Sequence, residues 1–192
     1  MTEVIKVSGD TWNLEYGKGK WTYLEKDPGE QSRNAIIAIY CKQFAVDGKL
    51  LDVGCGTGSL CDFLLDKQKE NYLGIDISAE AIRLANLKRN LTYIIESAET
   101  FQSDEKFDII IFNEVLYYVD YKKALKRFSE FLAANGTIII SVYKNPAISE
   151  SLEKIWNVTD SMFETMEHTI LCKKSNSGAL WWDIKALKKK EY

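Results

Sequence analysis

Arginine, histidine and paired cysteines are scarce in this chain, and each scarcity removes a class of chemistry. Among the 25 Lys and Arg residues, only Arg33, Arg83, Arg89 and Arg127 are arginine, which weakens any case for bidentate phosphate recognition. A formal charge of −3 with a pI near 5.4 supplies no global field to gather nucleic acid. His168 is the single histidine, and Cys41, Cys55, Cys61 and Cys172 contain no C-x-x-C pair. No cluster has zinc-ligand spacing, so no metal is expected, and reduced thiols point to a cytoplasmic location. No apolar run approaches the roughly 18 residues of a membrane span, and the N-terminus lacks a signal core, so no membrane partner is expected. No internal repeat stands out, and the short Lys188–Lys190 run reads as a solvated end.

What is present is a chain of 192 residues, 46% hydrophobic and 28% charged, enough for one domain with a substantial core. From Gln31 to Phe44, Ala35, Ile36, Ile39, Tyr40 and Phe44 recur at helical spacing, and Asp47-Gly48 breaks the chain before a strand at Lys49 to Val53. Gly58 to Lys69 reads as a helix, as does Ala79 to Lys88, with Ser78 as N-cap and Glu80 in the first turn. Such alternation predicts an α/β fold: a parallel sheet with helices on both faces and all strand carboxyl ends along one rim.

The segment Leu50 to Gly58, Leu-Leu-Asp-Val-Gly-Cys-Gly-Thr-Gly, carries the functional information. Glycines just after a strand allow a sharp turn and close approach of a ligand to bare backbone. A dinucleotide fingerprint needs G-x-G-x-x-G, whereas Gly54, Gly56 and Gly58 give G-x-G-x-G with Ser59 at the third fingerprint position. No Gly-Lys-Ser/Thr follows, which excludes a Walker loop.

Here the chain resembles the class I S-adenosylmethionine (SAM)-dependent methyltransferases, whose first motif, acidic-x-Gly-x-Gly-x-Gly, matches Asp52, Gly54, Gly56 and Gly58. The resemblance continues in order through about residue 143. Tyr72 to Ser78 is similar to the second strand, with Asp76 placed as the ribose-binding acid 22 positions after Gly54, near the usual spacing of about 20. Ser97 to Thr100, after a third strand at Leu91 to Glu96, resembles the polar loop at the adenine edge. Phe107 to Phe112 with Asn113 to Tyr118 resembles the fourth strand and the loop beside the methyl, and Gly136 to Tyr143 the fifth strand.

The family resemblance implies a single Rossmann-like domain over 1–192, with a mostly parallel seven-stranded sheet ending in an antiparallel hairpin. Thr165 to Lys173 and Leu180 to Leu187, joined by a turn at Ser175 to Gly178, fit that hairpin. Residues 1–30 bring Trp12, Tyr16, Trp21 and Tyr23 together with Gly17, Gly19, Pro28 and Gly29 and read as an aromatic cap. Residues 31–143 then form the cofactor-binding core, and 144–192 a C-terminal helix and edge hairpin.

The implied cofactor is SAM, with S-adenosylhomocysteine (SAH) as its product, held by Asp52, Gly54, Cys55, Gly56, Gly58, Asp76, Ile77, Ala98, Glu99 and Asn113. A sulfonium is already an activated electrophile, so the protein needs chiefly to align a nucleophile and accept its proton. Glu114, Tyr117, Tyr118 and Tyr143 are the candidates for that work. Each has a plainer role: Glu99 as a capping or solvated acid, Glu114 as a cap of a helix at Val115, and one of Tyr117 and Tyr118 as packing. Cys55 and His168 read as structural.

No proline follows Asn113, unlike the Asp/Asn-Pro-Pro-Tyr loop of base-modifying methyltransferases, so nucleic acid is an unlikely partner. Glu114 to Tyr118 is similar to the loop of bacterial small-molecule enzymes, including the nodulation N-methyltransferases of chitooligosaccharides. The expected reaction is methyl transfer to N or O of a small polar acceptor, such as an amino sugar or a biosynthetic intermediate. A nucleic-acid or protein methyltransferase, an aminopropyltransferase and a non-catalytic SAM-binding module are the alternatives. Oligomeric state and acceptor identity are left open.

Overall fold

The computed structural model describes residues 7–144, 149–175 and 178–190. Seven strands form one sheet: β1 (Leu50–Val53), β2 (Tyr72–Asp76), β3 (Thr92–Ile95), β4 (Phe107–Asn113), β5 (Leu132–Lys144), β6 (Phe163–Ser175) and β7 (Gly178–Lys189). Their spatial order is β3-β2-β1-β4-β5-β7-β6. The pairs from β3 to β5 are parallel, while β7 runs antiparallel to both β5 and β6. This is the expected mostly parallel sheet with its C-terminal hairpin. The connection through Asn176 and Ser177 lies outside the described residues.

Six helices accompany the strands among the described residues: α1 (Gly9–Gly17), α2 (Pro28–Phe44), α3 (Asp66–Glu70), α4 (Ala79–Lys88), α5 (Tyr121–Phe131) and α6 (Ser149–Met162). On one face, Ile37 and Cys41 of α2 pack with Leu50, Ile109, Ile111, Ile139 and Ile184. On the other, Leu125 and Phe128 of α5 and Leu152 and Ile155 of α6 pack with Leu51, Ile110, Phe112 and Ile138. Adjacent strand residues thus enter opposite cores, as the two-residue period of a strand requires. In α5 the buried positions Ala124, Leu125, Phe128 and Phe131 follow helical spacing, and Asp120 caps the start by accepting from Lys123 N–H at 3.2 Å.

Two elements differ from expectation. Helix α2 starts at Pro28, three residues before Gln31, because Asp27 accepts from the N–H groups of Gly29 and Glu30, with Pro28 at the helix start. The continuous helix expected over Gly58 to Lys69 is instead a 3₁₀ turn (Ser59–Asp62) followed by the short α3. Gly58 is left-handed at φ 77°. Buried Gln68 also bridges Leu65 N–H and Ala45 C=O, both at 3.1 Å, and thereby sets a separate helix start.

Strand order reverses between β1 and β4, each lying between a neighbour reached in opposite directions. That reversal opens a crevice at the strand carboxyl ends, where open α/β sheets bind ligands.

Candidate functional site

Beyond β1 the chain turns through Gly54, Gly56 and Gly58 at φ 70°, 55° and 77°, conformations that suit glycine. The N–H groups of Gly54 and Cys55 donate to Ile75 C=O at 2.8 and 3.0 Å, which fastens the loop to the end of β2. Gly56 N–H donates to Asp76 Oδ2 at 2.9 Å, and Ser78 N–H donates to Asp76 Oδ1 at 2.8 Å. The glycine loop and the acid of β2 therefore form one hydrogen-bonded unit. Each Asp76 oxygen retains acceptor capacity, since a carboxylate offers about four lone-pair positions and two are used. Burial raises the Asp76 pKa, and the Ser78 and Gly56 N–H groups oppose that rise.

A cavity of about 820 Å³ opens along this rim, within the roughly 300–1,000 Å³ of ligand pockets. Gly54, Cys55, Gly56, Asp76, Ile77 and Asn113 line one part of it, and the Glu96–Glu99 turn adds Ala98 and Glu99. Glu114, Tyr117, Tyr118 and Tyr143 line the same cavity. The structure thus brings together every expected cofactor and catalytic position except two. Asp52 lies beneath the loop at 2% exposure, accepting from the Tyr72 hydroxyl at 2.8 Å, with Oδ1 unpaired. Burial pushes its carboxyl up to about 7. Gly58 faces packing as well: a side-chain carbon there would meet the Tyr93 hydroxyl at 2.4 Å.

Glu114 has a constrained place. It is the only non-glycine residue at positive φ, 65°, among the described residues, a conformation that costs about 1–3 kcal/mol unless its surroundings hold it. Here its N–H donates to Ser141 C=O at 3.0 Å. Its carboxylate accepts from the Ser141 hydroxyl at 2.6 Å, from Tyr143 N–H at 3.0 Å and from the Tyr117 hydroxyl. No helix starts at Val115; a turn closed by Tyr118 N–H donating to Val115 C=O at 2.9 Å takes its place, and α5 starts at Tyr121. Without helical geometry Tyr117 and Tyr118 both reach the cavity, their rings 4.8 Å apart and T-shaped. Burial, followed by the Glu114 charge, holds the Tyr117 pKa well above its ordinary value.

The N-terminal aromatics meet this group. Trp12 stands edge-on to Tyr118 at 5.0 Å and tilts against Trp21 at 5.5 Å. Tyr16 reaches the glycine loop, its hydroxyl 2.8 Å from where a side-chain carbon on Gly56 would lie. Glu25 fixes the segment by accepting from Thr57 of the glycine loop and from Lys88, both at 2.6 Å. Asn13 accepts from Ser78 Oγ at 2.9 Å and Glu80 N–H at 3.1 Å, joining α1 to the start of α4.

Glu30, Arg33 and Trp182 also line the cavity, and sequence reasoning did not select them. Glu30 and Arg33 lie one turn apart in a helix whose pattern signals only packing. Trp182 sits in the hairpin, where nothing local signals that Tyr143 lies 5.7 Å away. Conversely, His168 is in edge strand β6, 3.3 Å from Asp183, and does not line the cavity. Among the described residues, no group of three or more His, Cys, Asp or Glu could hold a metal ion.

A parallel sheet with a glycine turn after β1, an acid at the end of β2 and a polar-aromatic cavity at the strand reversal defines a nucleoside-cofactor protein. The family model described as a methyltransferase domain matches residues 30–183, and the chain belongs to that family, the class I SAM-dependent methyltransferases. Malonyl-[acyl-carrier protein] O-methyltransferase 2 of Ilyobacter polytropus is 27% identical over 76% of this chain and 59% of its own length. Nodulation protein S of Rhizobium tropici is 27% identical over 60% of this chain and 52% of its own length. The chain thus spans somewhat more than half of these two curated relatives. In fold it is similar to the N-methyltransferase NodS of Bradyrhizobium japonicum WM9 in complex with SAH, with a TM-score of 0.73 and 18% identity over 87% of this chain and 91% of that one. It is similar also to the 1,6-didemethyltoxoflavin-N1-methyltransferase of Burkholderia thailandensis, with a TM-score of 0.74 and 15% identity over 95% and 87% of the two chains.

Proposed function

We propose that this chain is a SAM-dependent methyltransferase acting in the cytoplasm on N or O of a small polar acceptor. The observation that carries the reading is the joining of two unlike surfaces in one cavity. A bare glycine turn with a buried acid, suited to a nucleoside, continues into a chamber walled by Trp12, Trp21, Tyr23, Tyr117, Tyr118 and Tyr143. A module that only bound cofactor would not require the second surface.

The residues present fit the cofactor. Gly54 and Gly56 leave backbone open to the cavity, Asp76 has lone pairs available to ribose hydroxyls, and Ile77 is 42% exposed, an apolar surface for a base. Cys55, Ala98, Glu99 and Asn113 complete that half. When bound, SAM supplies a methyl group on a positively charged sulfur. The aromatic wall excludes water and offers faces attractive to positive charge, at about 0.5–2 kcal/mol each. Glu114 holds Tyr143, Ser141 and Tyr117 in one geometry, which fixes the floor against which an acceptor lies. With its carboxylate already accepting three hydrogen bonds, Glu114 serves as a positioning residue.

An acceptor screen using SAM with a labelled methyl group tests the proposal, with products identified by mass. Label on a small N or O acceptor is the expected result. Label appearing solely on nucleic acid or protein would overturn the acceptor class, and turnover of none would leave a binding module.

A further inference from the structure

The cavity is strongly one-sided in charge. Glu30, Asp76, Glu96, Glu99 and Glu114 line it, against Arg33 as the one cationic side chain among the described lining residues. Arg33 is already committed. Its Nη1 lies 2.5 Å from Glu30 Oε2 and 3.8 Å from Glu114 Oε1, so one guanidinium serves two carboxylates. Arg33 is 5% exposed and Glu30 7%. Taking such groups out of water costs several kcal/mol per ion, a cost that opposite charge must offset. With both acids ionised the trio carries one uncompensated negative charge. Arg33 Nε has no hydrogen-bond partner, which shows that the cluster is not a closed network.

The two acids are not equivalent. Glu114 accepts from Ser141, Tyr143 and Tyr117 and has little left to offer. Glu30 has Arg33 as its ion-pair partner and opens onto the aromatic chamber that includes Tyr23, Tyr118, Trp12 and Trp21. A positive group there meets an uncompensated carboxylate and several ring faces. An acceptor carboxylate or phosphate would meet the same acids as like charges, with Arg33 already shared between Glu30 and Glu114 and Lys173 already paired with Asp27.

We infer that the acceptor is an organic amine and that Glu30 is the carboxylate that holds it and takes up its proton. This inference rests on the methyltransferase reading above. The amine binds as its ammonium and first passes a proton to the Glu30 carboxylate, which frees the nitrogen lone pair. That lone pair forms the N–C bond as the C–S bond of the methyl donor breaks with its electrons left on sulfur; the methylated nitrogen carries the positive charge, the sulfonium has become a thioether, no redox partner is needed, and the proton on Glu30 passes to solvent as the product leaves. Burial raises the Glu30 pKa, Arg33 opposes this, and Glu114 and Asp27 add to the rise while Lys173 lowers it. The resulting carboxylate is a stronger base than a solvated glutamate, as proton uptake near neutral pH favours.

Three probes on one skeleton test this: 2-phenylethylamine, 2-phenylethanol and phenylacetate, titrated calorimetrically into SAH-saturated protein at pH 7.5. The amine is expected to bind at least about tenfold tighter than the alcohol, a difference of about 1.4 kcal/mol, with phenylacetate weakest. Glu30→Gln should remove most of that preference while SAH affinity stays within about twofold, and Glu30→Asp should retain it. The wild-type comparison stands even if a variant fails to fold. Equal or undetectable binding of amine and alcohol by SAH-loaded wild type overturns the inference, as does a folded Glu30→Gln protein that keeps the full preference. A wild type that does not bind SAH defeats the methyltransferase reading itself, and this inference with it.

Discussion

At Gly56 a single side chain has the largest leverage. The residue is at φ 55° and lines the cavity, and a side-chain carbon there would come within 2.8 Å of the Tyr16 hydroxyl, so a branched side chain would be strained in backbone and would crowd the ligand space. Gly56→Val is expected to abolish SAH binding in calorimetry while the protein remains folded by circular dichroism. Asp76→Ala removes hydrogen bonds to a charged group and should cost about 1.5–3 kcal/mol of SAH affinity, roughly 10- to 150-fold. Glu114→Gln places an amide opposite the donors of Ser141, Tyr143 and Tyr117. Leaving one unsatisfied costs about 1–3 kcal/mol, so scanning calorimetry should show a melting temperature lower by roughly 2–12 °C, together with reduced turnover. Asp52 sets a pH dependence. Its folded pKa of about 7 lies above the unfolded value of about 3.9, so the folded state binds more protons between them. The contribution of Asp52 to stability is full below about pH 4 and is lost as pH rises through about 7, by a few kcal/mol. Denaturant titrations should show that slope in wild type and a flatter one in Asp52→Asn.

At the scale of elements, what could be read from sequence divides by the range of the interactions involved. Of the five parallel strands, β1, β2, β4 and β5 are legible as buried apolar runs, β3, with Ile94 and Ile95 exposed, through its place in the order of the motifs, and the hairpin because its two runs flank a Ser/Asn/Gly turn. The crossover after β1 was not legible: Gly58 and buried Gln68 divide it, and Gln68 is fixed by Ala45 C=O, over twenty residues away in sequence. The segment after β4 is legible as a loop from the order of the motifs; the alternative of a helix starting at Val115 fails because Ser141 and Tyr143 of β5 hold Glu114 in a turn. Glu30, Arg33 and Trp182 escaped for the same reason, since their neighbours come from remote parts of the chain. The N-terminal segment was legible as aromatic but not in its attachment. Its ring contact from Trp12 to Tyr118 is worth about 0.5–1.5 kcal/mol beyond burial, and Tyr16 rather than Trp12 approaches the glycine loop. Trp12→Ala is therefore expected to weaken acceptor binding more than SAH binding, by about fivefold or more in paired titrations; equal losses would contradict a division of the cavity into two halves.

For the whole molecule, the strand reversal between β1 and β4 determines where chemistry is possible. It brings the carboxyl ends of β1, β2, β4 and β5 to one rim, so that a glycine turn, Asp76, Asn113 and Tyr143 converge although they span most of the core. The C-terminal hairpin adds Trp182 and α2 adds Glu30 and Arg33, which makes the acceptor half a product of the complete fold rather than of one motif. The central claim is that this cavity takes SAM. Calorimetric titration of the purified chain with SAH, and in parallel with NAD, tests it most directly. About one equivalent of SAH is expected to bind per chain, with no heat from NAD; binding of NAD without binding of SAH or SAM would contradict a SAM site.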